Sequence, residues 1–289
     1  MKPELIVDYA NAVGEGPLWH PQDKKLYWAD IPPGKIYRHD PALGKSELYF
    51  TGPTGIGGFT IQADGSLLCF TYNAGIGVIE DGEWRWVNKG LANEQGRKFN
   101  DVIADPVGRV FAGTIVNDQG NGALYRMDLD GSLTQVETDI GISNGMGFSL
   151  DHKLMYYTDT NTGRIDMFDY EVDSGEISNR RPFADASRGG LGPDGMTVDA
   201  DGHIWSAQYG DSGVYRYAPD GSFERKIDVP MLKTTSIIFA GDALTDAYVT
   251  SAGGEDKAES GEYAGALFRL DMSELGVKGV PEFPSRIAV

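Results

Sequence analysis

The chain holds one cysteine, Cys69, so no internal disulfide can form, and its setting in Leu67-Leu68-Cys69-Phe70 is that of a buried strand residue. No apolar run of about 18 residues occurs, and Met1-Lys2-Pro3-Glu4 opens no apolar h-region of a signal peptide. The expectation is a soluble, cytoplasmic protein that spans no membrane. Positive charge is scarce: 25 Lys and Arg stand against 43 Asp and Glu, for a formal net charge of −18, and no basic cluster offsets it. Such a surface repels a phosphate backbone, which excludes nucleic acid as a partner. There is no G-x-S-x-G elbow and no Cys-His pairing, so serine or cysteine nucleophiles lack support. The glycine-rich Gly55-Ile56-Gly57-Gly58 lies within a strand-like run and opens no helix, which removes a phosphate loop. No amphipathic helix of about ten residues or more is legible.

Glycine and aromatics are plentiful instead. The 39 glycines among 289 residues are scattered between short apolar runs, a pattern of many turns and short strands. With 14 Tyr, 12 Phe, 5 Trp and 40% hydrophobic residues, the chain can bury a packed core.

An internal repeat organises it. Short apolar segments, from Leu26-Tyr27-Trp28-Ala29-Asp30 through Met155-Tyr156-Tyr157-Thr158-Asp159 to Ala247-Tyr248-Val249-Thr250, begin at 26, 67, 110, 155, 204 and 247. Steps of about 40 to 50 residues are those of a four-stranded propeller blade. After each one comes a second segment, such as Lys35-Ile36-Tyr37-Arg38-His39-Asp40 or Ala266-Leu267-Phe268-Arg269-Leu270-Asp271, most of them alternating apolar with polar residues as half-buried strands do. Asp64-Gly65, Asp130-Gly131, Asp201-Gly202 and Asp220-Gly221 supply tight reversals. The expected fold is all-β, a six-bladed β-propeller with four-stranded antiparallel blades, formed as one domain over residues 1–289. Leu5-Ile6-Val7 and Arg286-Ile287-Ala288-Val289 are expected to complete one blade together and close the ring.

Polar residues break the apolar pattern at one repeat position. Seven residues before the first turn of each blade stand Glu15, Gly57, Asn100, Asn144 and Asp194, with Thr235 or Ser236 in the sixth. Inner strands of a propeller start at one end of the central channel, so these residues converge there. Taken singly, Glu15-Gly16, Asn144-Gly145 and Asp194-Gly195 read as turn dipeptides. Four oxygen-bearing side chains at the same repeat position point further, because burying several polar groups together is costly unless something satisfies them. Two carboxylates and two amides suit a hard cation, and the ligand types admit Ca²⁺, Mn²⁺ and Mg²⁺ equally. The four histidines, His20, His39, His152 and His203, fall at strand ends or turns of different repeats, where structural or surface roles are expected.

Gly14-Glu15-Gly16-Pro17, Phe99-Asn100-Asp101 running into Asp105-Pro106-Val107-Gly108-Arg109-Val110-Phe111-Ala112-Gly113-Thr114, Ile142-Ser143-Asn144-Gly145 and Pro193-Asp194-Gly195-Met196 resemble the signatures of the regucalcin/gluconolactonase (senescence-marker-protein) family. The resemblance runs nearly end to end. It implies a metal-dependent lactonase that opens a sugar 1,4- or 1,5-lactone to the aldonic acid, with Glu15, Asn144 and Asp194 as metal ligands. It also implies Asp194 as the proton acceptor and donor, and Asn100 at the metal and its substrate. The one divalent ion is expected to be Ca²⁺, with Zn²⁺, Mn²⁺, Mg²⁺ and Fe²⁺ as alternatives. Two departures bear on substrate. Lys98 stands where the family commonly has Arg, replacing a bidentate fork with a point charge. The loop Asn117-Asp118-Gln119-Gly120-Asn121-Gly122 is short, and Asp118 falls where a substrate-contacting glutamate is expected. Lys98, Asn100 and Asp118 are therefore the substrate-binding candidates, and the protein is expected to act as a monomer or weak homo-oligomer. A metal-dependent phosphotriesterase or aryl esterase, or a calcium-binding propeller without catalysis, would share the same residues.

Overall fold

The computed structural model describes residues 1–289 apart from 92, 93, 95, 119 and 188–191. An N-terminal strand β1 (Glu4–Asp8) precedes the first blade, which is β2 (Gly14–His20), β3 (Lys25–Asp30), β4 (Lys35–Asp40) and β5 (Lys45–Thr51). The second blade is β6 (Ile56–Ile61), β7 (Leu67–Thr71), β8 (Ile76–Glu80) and β9 (Glu83–Asn88). The third is β10 (Phe99–Ala104), β11 (Val110–Thr114), β12 (Gly122–Met127) and β13 (Leu133–Ile140), and the fourth β14 (Ser143–Phe148), β15 (Leu154–Asp159), β16 (Arg164–Tyr170) and β17 (Ile177–Asp185). The fifth is β18 (Gly192–Val198), β19 (Ile204–Tyr209), β20 (Gly213–Tyr217) and β21 (Phe223–Asp228). In the sixth, β22 (Thr234–Ala240), β23 (Asp246–Ser251) and β24 (Ala266–Asp271) are joined by β1 as the outer strand. Six four-stranded antiparallel sheets thus form a six-bladed propeller, and β22 packs against β2 to close the ring.

The apolar repeat segments are the second strands, and the segments after them are the third strands. Their burial explains their composition. Strands β3, β7, β11, β15, β19 and β23 lie between neighbouring blades and are buried almost throughout, whereas the outer β5, β13 and β21 are exposed or half-buried almost throughout and face water. The core is accordingly divided into six clusters, one at each blade interface. Asp64-Gly65-Ser66, Asp130-Gly131-Ser132 and Asp220-Gly221-Ser222 make the reversals between strands, each Asp Oδ1 accepting from the Ser backbone N–H at 2.9 Å. Regular helix is confined, among the described residues, to α1 (Lys257–Ser260) and three 3₁₀ turns, and no helix is long and apolar enough to cross a membrane.

Ring closure differs from the expectation in one respect. Leu5-Ile6-Val7 do join the sixth blade, within β1, but Arg286-Ile287-Ala288-Val289 do not. The C-terminal segment, with Pro281 and Pro284 lacking amide donors, runs extended across the far end of the channel instead. There Ser285 N donates to Ile61 O (2.9 Å), Gln62 exchanges bonds with the Ile287 backbone (3.0 and 3.1 Å), Arg286 N donates to Gly108 O (2.8 Å) and Ala288 N to Leu129 O (2.7 Å).

Candidate active site

All six inner strands carry one extra residue near their starts, against a regular partner strand. The register breaks between Glu15 and Leu18, Ile56 and Gly58, Phe99 and Val102, Asn144 and Met146, Pro193 and Met196, and Thr234 and Ser236. Bulges of this kind re-aim side chains, and here they do so at one end of the channel. Close approach of the inner strands requires glycine at the same level. A Cβ on Gly145 would lie 2.6 Å from Asp194 O and Met196 N, and one on Gly195 would lie 2.1 Å from Ser236 Oγ. The register also resolves the sixth position. Lys98, Ile142 and Lys233 each bridge to the preceding blade, and the next residue pairs within its own blade, which aligns Asn100 and Asn144 with Thr235 rather than Ser236.

Glu15, Asn144 and Asp194 are buried, at 3%, 4% and 6% exposure, and Asn100 is half-buried. Asn100 Nδ2 donates to Asn144 Oδ1 (2.6 Å) and to Ser143 O (2.8 Å). Asn144 Nδ2 donates in turn to Thr160 Oγ1 (2.7 Å), and Thr160 Oγ1 to the carbonyl of Pro193 (2.7 Å), the residue before Asp194. This relay runs across the third, fourth and fifth blades. It turns the Asn144 nitrogen away from Asn100 and its oxygen toward it. On the other side, Glu15 Oε2 accepts from Gly16 N (2.8 Å), and Gly16 holds a left-handed φ of 54° that favours glycine.

The Glu15 and Asp194 carboxyls lie close enough to act on one another. Burial pushes both well above the usual carboxylate range; the Asp194 and Asp101 charges add to this at Glu15, and the Asp101 charge adds to it at Asp194. Asp101 is itself pushed up to about 7 by burial. Three acidic groups crowd together, and among the described residues the cations that form ion pairs do so elsewhere. That arrangement fits a divalent cation: two buried carboxyls in contact lack a positive partner, and two amides lie beside them. No three His, Cys, Asp or Glu side chains among the described residues make a metal cluster by themselves, so a cation at this mouth would need the amides as donors as well.

Sequence reasoning missed Asp101 and Thr160. Strict alternation assigns Asp101 to the face opposite Asn100, but the bulge in β10 brings Asn100 onto the neighbouring inner strand while Asp101 lines the channel. Thr160 lies in a turn after β15 and has no repeat signal. Lys98 stands at the rim, exposed, its Nζ 4.4 Å above the centre of the Tyr72 ring. Asp118 is exposed in a turn, and among the described residues no hydrogen bond joins it to Glu15, Asn100, Asn144 or Asp194; Gln119 in the same loop lies outside the described residues. That turn is tied to the Lys98 segment by Arg97, which donates to Gly120 O (2.9 Å) and pairs with Glu94 (2.7 Å). The histidines lie apart from the site: His20 meets Gly65 O, His39 meets Ser46, His152 packs on Phe283, and His203 stands between Asp199 and Glu224.

Below the acidic groups the channel becomes apolar. A cavity of about 300 Å³, lined by Leu18, Phe59, Val102, Met146, Met196 and Ile237, extends from Asp101 to Glu282 and Arg286 in the C-terminal segment.

A six-bladed propeller with acid and amide side chains gathered at one channel mouth defines the class, and residues 13–253 match the SMP-30/Gluconolactonase/LRE-like region family. The chain belongs to that family. It is similar to the pentonolactonase XacC of Haloferax volcanii, with 43% identity across 98% of this chain and 97% of that protein. In structure it is similar to a luciferin-regenerating enzyme, with a TM-score of 0.89 and 26% identity over 99% of both chains. It is equally similar to the calcium-binding protein regucalcin of Agrobacterium tumefaciens, with a TM-score of 0.89 and 25% identity over 99% of this chain and 98% of that one.

Proposed function

We propose that the protein hydrolyses sugar lactones at this mouth, with one divalent metal ion, foremost calcium, held by Glu15, Asn144, Asp194 and Asn100. The observation that carries the reading is the buried Glu15–Asp194 pair, crowded by Asp101, beside the Asn100–Asn144 amides. Family membership and the pentonolactonase relative support the choice of substrate. When bound, the cation supplies Lewis-acid polarisation of the lactone carbonyl.

The chain's own groups perform the rest. Asp194 accepts a proton from the water that attacks the carbonyl carbon. The bond from that carbon to the ring oxygen then breaks, and Asp194 returns the proton to the departing oxygen, leaving a hydroxy acid. Asn100 and Lys98 donate hydrogen bonds to substrate oxygens, including the oxygen on which negative charge develops. Lys98 acts on substrate and not on metal, because an ammonium has no lone pair to offer. Asp118 reaches a substrate only if the latter extends to the rim.

Stripping the protein of metal and assaying a panel of sugar 1,4- and 1,5-lactones, with cations restored one at a time, tests the reading. Hydrolysis should vanish on stripping and return with a single equivalent of calcium or a competing divalent ion. Turnover that is indifferent to metal, or confined to phosphotriesters or aryl esters, contradicts it. Metal binding without turnover of any ester leaves a purely calcium-binding propeller.

A further inference from the structure

The repeat contains a second feature at the same mouth. Two residues before the ligand position, the six blades carry Val13, Gly55, Lys98, Ile142, Gly192 and Lys233. The two charged members belong to the third and sixth blades, three blades apart, and so face one another across the ring. Each lysine bridges by its backbone to a tyrosine at the end of the preceding blade's second strand: Lys98 to Tyr72 and Lys233 to Tyr209. At two other junctions the same bridge joins apolar residues, Val13 with Ala252 and Ile115 with Ile142. A Lys–Tyr pair therefore recurs on opposite sides of the mouth and is not demanded by blade packing.

The second pair sits next to the acidic groups. Tyr209 is half-buried; burial raises its phenol, and the charges of Asp194 and Glu15 are near enough to raise it further. The alkyl stem of Lys233 passes Gly253, where a Cβ would lie 3.3 Å from Lys233 Cδ, so its path is set by the loop after β23. The ion-paired lysines among the described residues are Lys24, Lys153, Lys226 and Lys257, all elsewhere. Both rim ammonium groups are free to donate to a ligand.

We infer that Lys233 and Tyr209 form a second substrate clamp, opposite Lys98 and Tyr72, that binds the hydroxyl-bearing side of a sugar lactone and the carboxylate of the aldonate released from it. This rests on the lactonase reading for its substrate class. An ammonium and a phenol on one side, and an ammonium and Asn100 on the other, hold a ring of hydroxyls and one carbonyl from both edges. Repulsion between the mouth carboxylates and an anionic product is offset by the two cations.

The test uses the metal-loaded protein, Lys233→Ala, Lys233→Arg, Tyr209→Phe and, for comparison, Lys98→Ala. Two quantities are read: KM and kcat for five- and six-carbon sugar lactones, and calorimetric affinity for a five-carbon aldonate, with calcium affinity as the control for an intact site. Lys233→Ala should raise KM and weaken aldonate binding about tenfold, close to the effect of Lys98→Ala, while calcium affinity holds; Lys233→Arg should recover most of the loss. Lactone turnover with KM and aldonate affinity unchanged in Lys233→Ala overturns the clamp and leaves the lactonase reading standing. Aldonate binding that depends on Lys233, in a protein that hydrolyses no lactone, upholds the clamp and overturns the lactonase reading. Absence of both hydrolysis and aldonate binding overturns both.

Discussion

At the scale of single residues, the site depends on groups that hold other groups still. Thr160 fixes Asn144 by accepting from its nitrogen at 2.7 Å, which presents the amide oxygen to the mouth. Thr160→Val keeps the volume and removes that acceptor. Calorimetric metal affinity should fall about tenfold, with one site retained, and Thr160→Ser should restore it. The convergence of Glu15, Asn100, Asn144 and Asp194 was legible in the sequence because they share one repeat position beside strands that are otherwise apolar. Asp101 and Thr160 were not: the first is turned by a bulge that no composition announces, and the second lies in a turn whose partner, the Pro193 carbonyl, comes from another blade.

Strands and segments add a different lesson. Second strands were legible as apolar runs, since a strand enclosed between blades needs apolar residues on both faces, and third strands from their alternation of apolar with polar residues. The C-terminal segment has no such period, and its path across the channel is set by hydrogen bonds to Ile61, Gln62, Gly108 and Leu129. Glu282 in that segment faces the apolar cavity, accepts among the described residues a single long bond, from Thr197 Oγ1 (3.4 Å), and is pushed up to about 7 by burial. Asp101 and Arg286 line the same cavity, and His152 the adjoining one. A carboxyl whose pKa is raised on folding loses its proton first in the unfolded chain. Its contribution to stability therefore falls as pH rises from about 4.3 to the folded value and is flat above it. Glu282→Gln should be more stable than the parent by about 1 to 2 kcal/mol at pH 8, allowing for water that reaches the cavity, and nearly equal to it at pH 4. Denaturant melts at the two pH values check this; a Glu282→Gln protein equally destabilised at both would show that the carboxyl is a needed partner.

For the whole molecule, closure of the ring and convergence of the six inner strands are one fact. Glu15, Asn100, Asn144 and Asp194 converge only if β22 meets β2, and β1 seals the outer edge of the sixth blade by pairing with β24, with Arg269 on Glu4 and Lys257 on Asp8, both at 2.6 Å. Removing residues 1–8 leaves β24 as an open edge. Scanning fluorimetry should show a melting temperature lower by at least about 5 °C, and light scattering a concentration-dependent association. An unchanged melt would mean that closure rests on the inner strands alone. The central claim is that Asp194 both holds the metal and moves the proton. The measurement that tests it most directly is kcat for lactone hydrolysis by Asp194→Asn and Glu15→Gln at calcium concentrations that calorimetry shows to be saturating for each. Glu15→Gln should regain much of its activity once filled, whereas Asp194→Asn should stay about 10²- to 10⁴-fold below the parent, because an amide accepts no proton from water near neutral pH. Near-parental kcat in filled Asp194→Asn would contradict the account and leave Asp194 a ligand only.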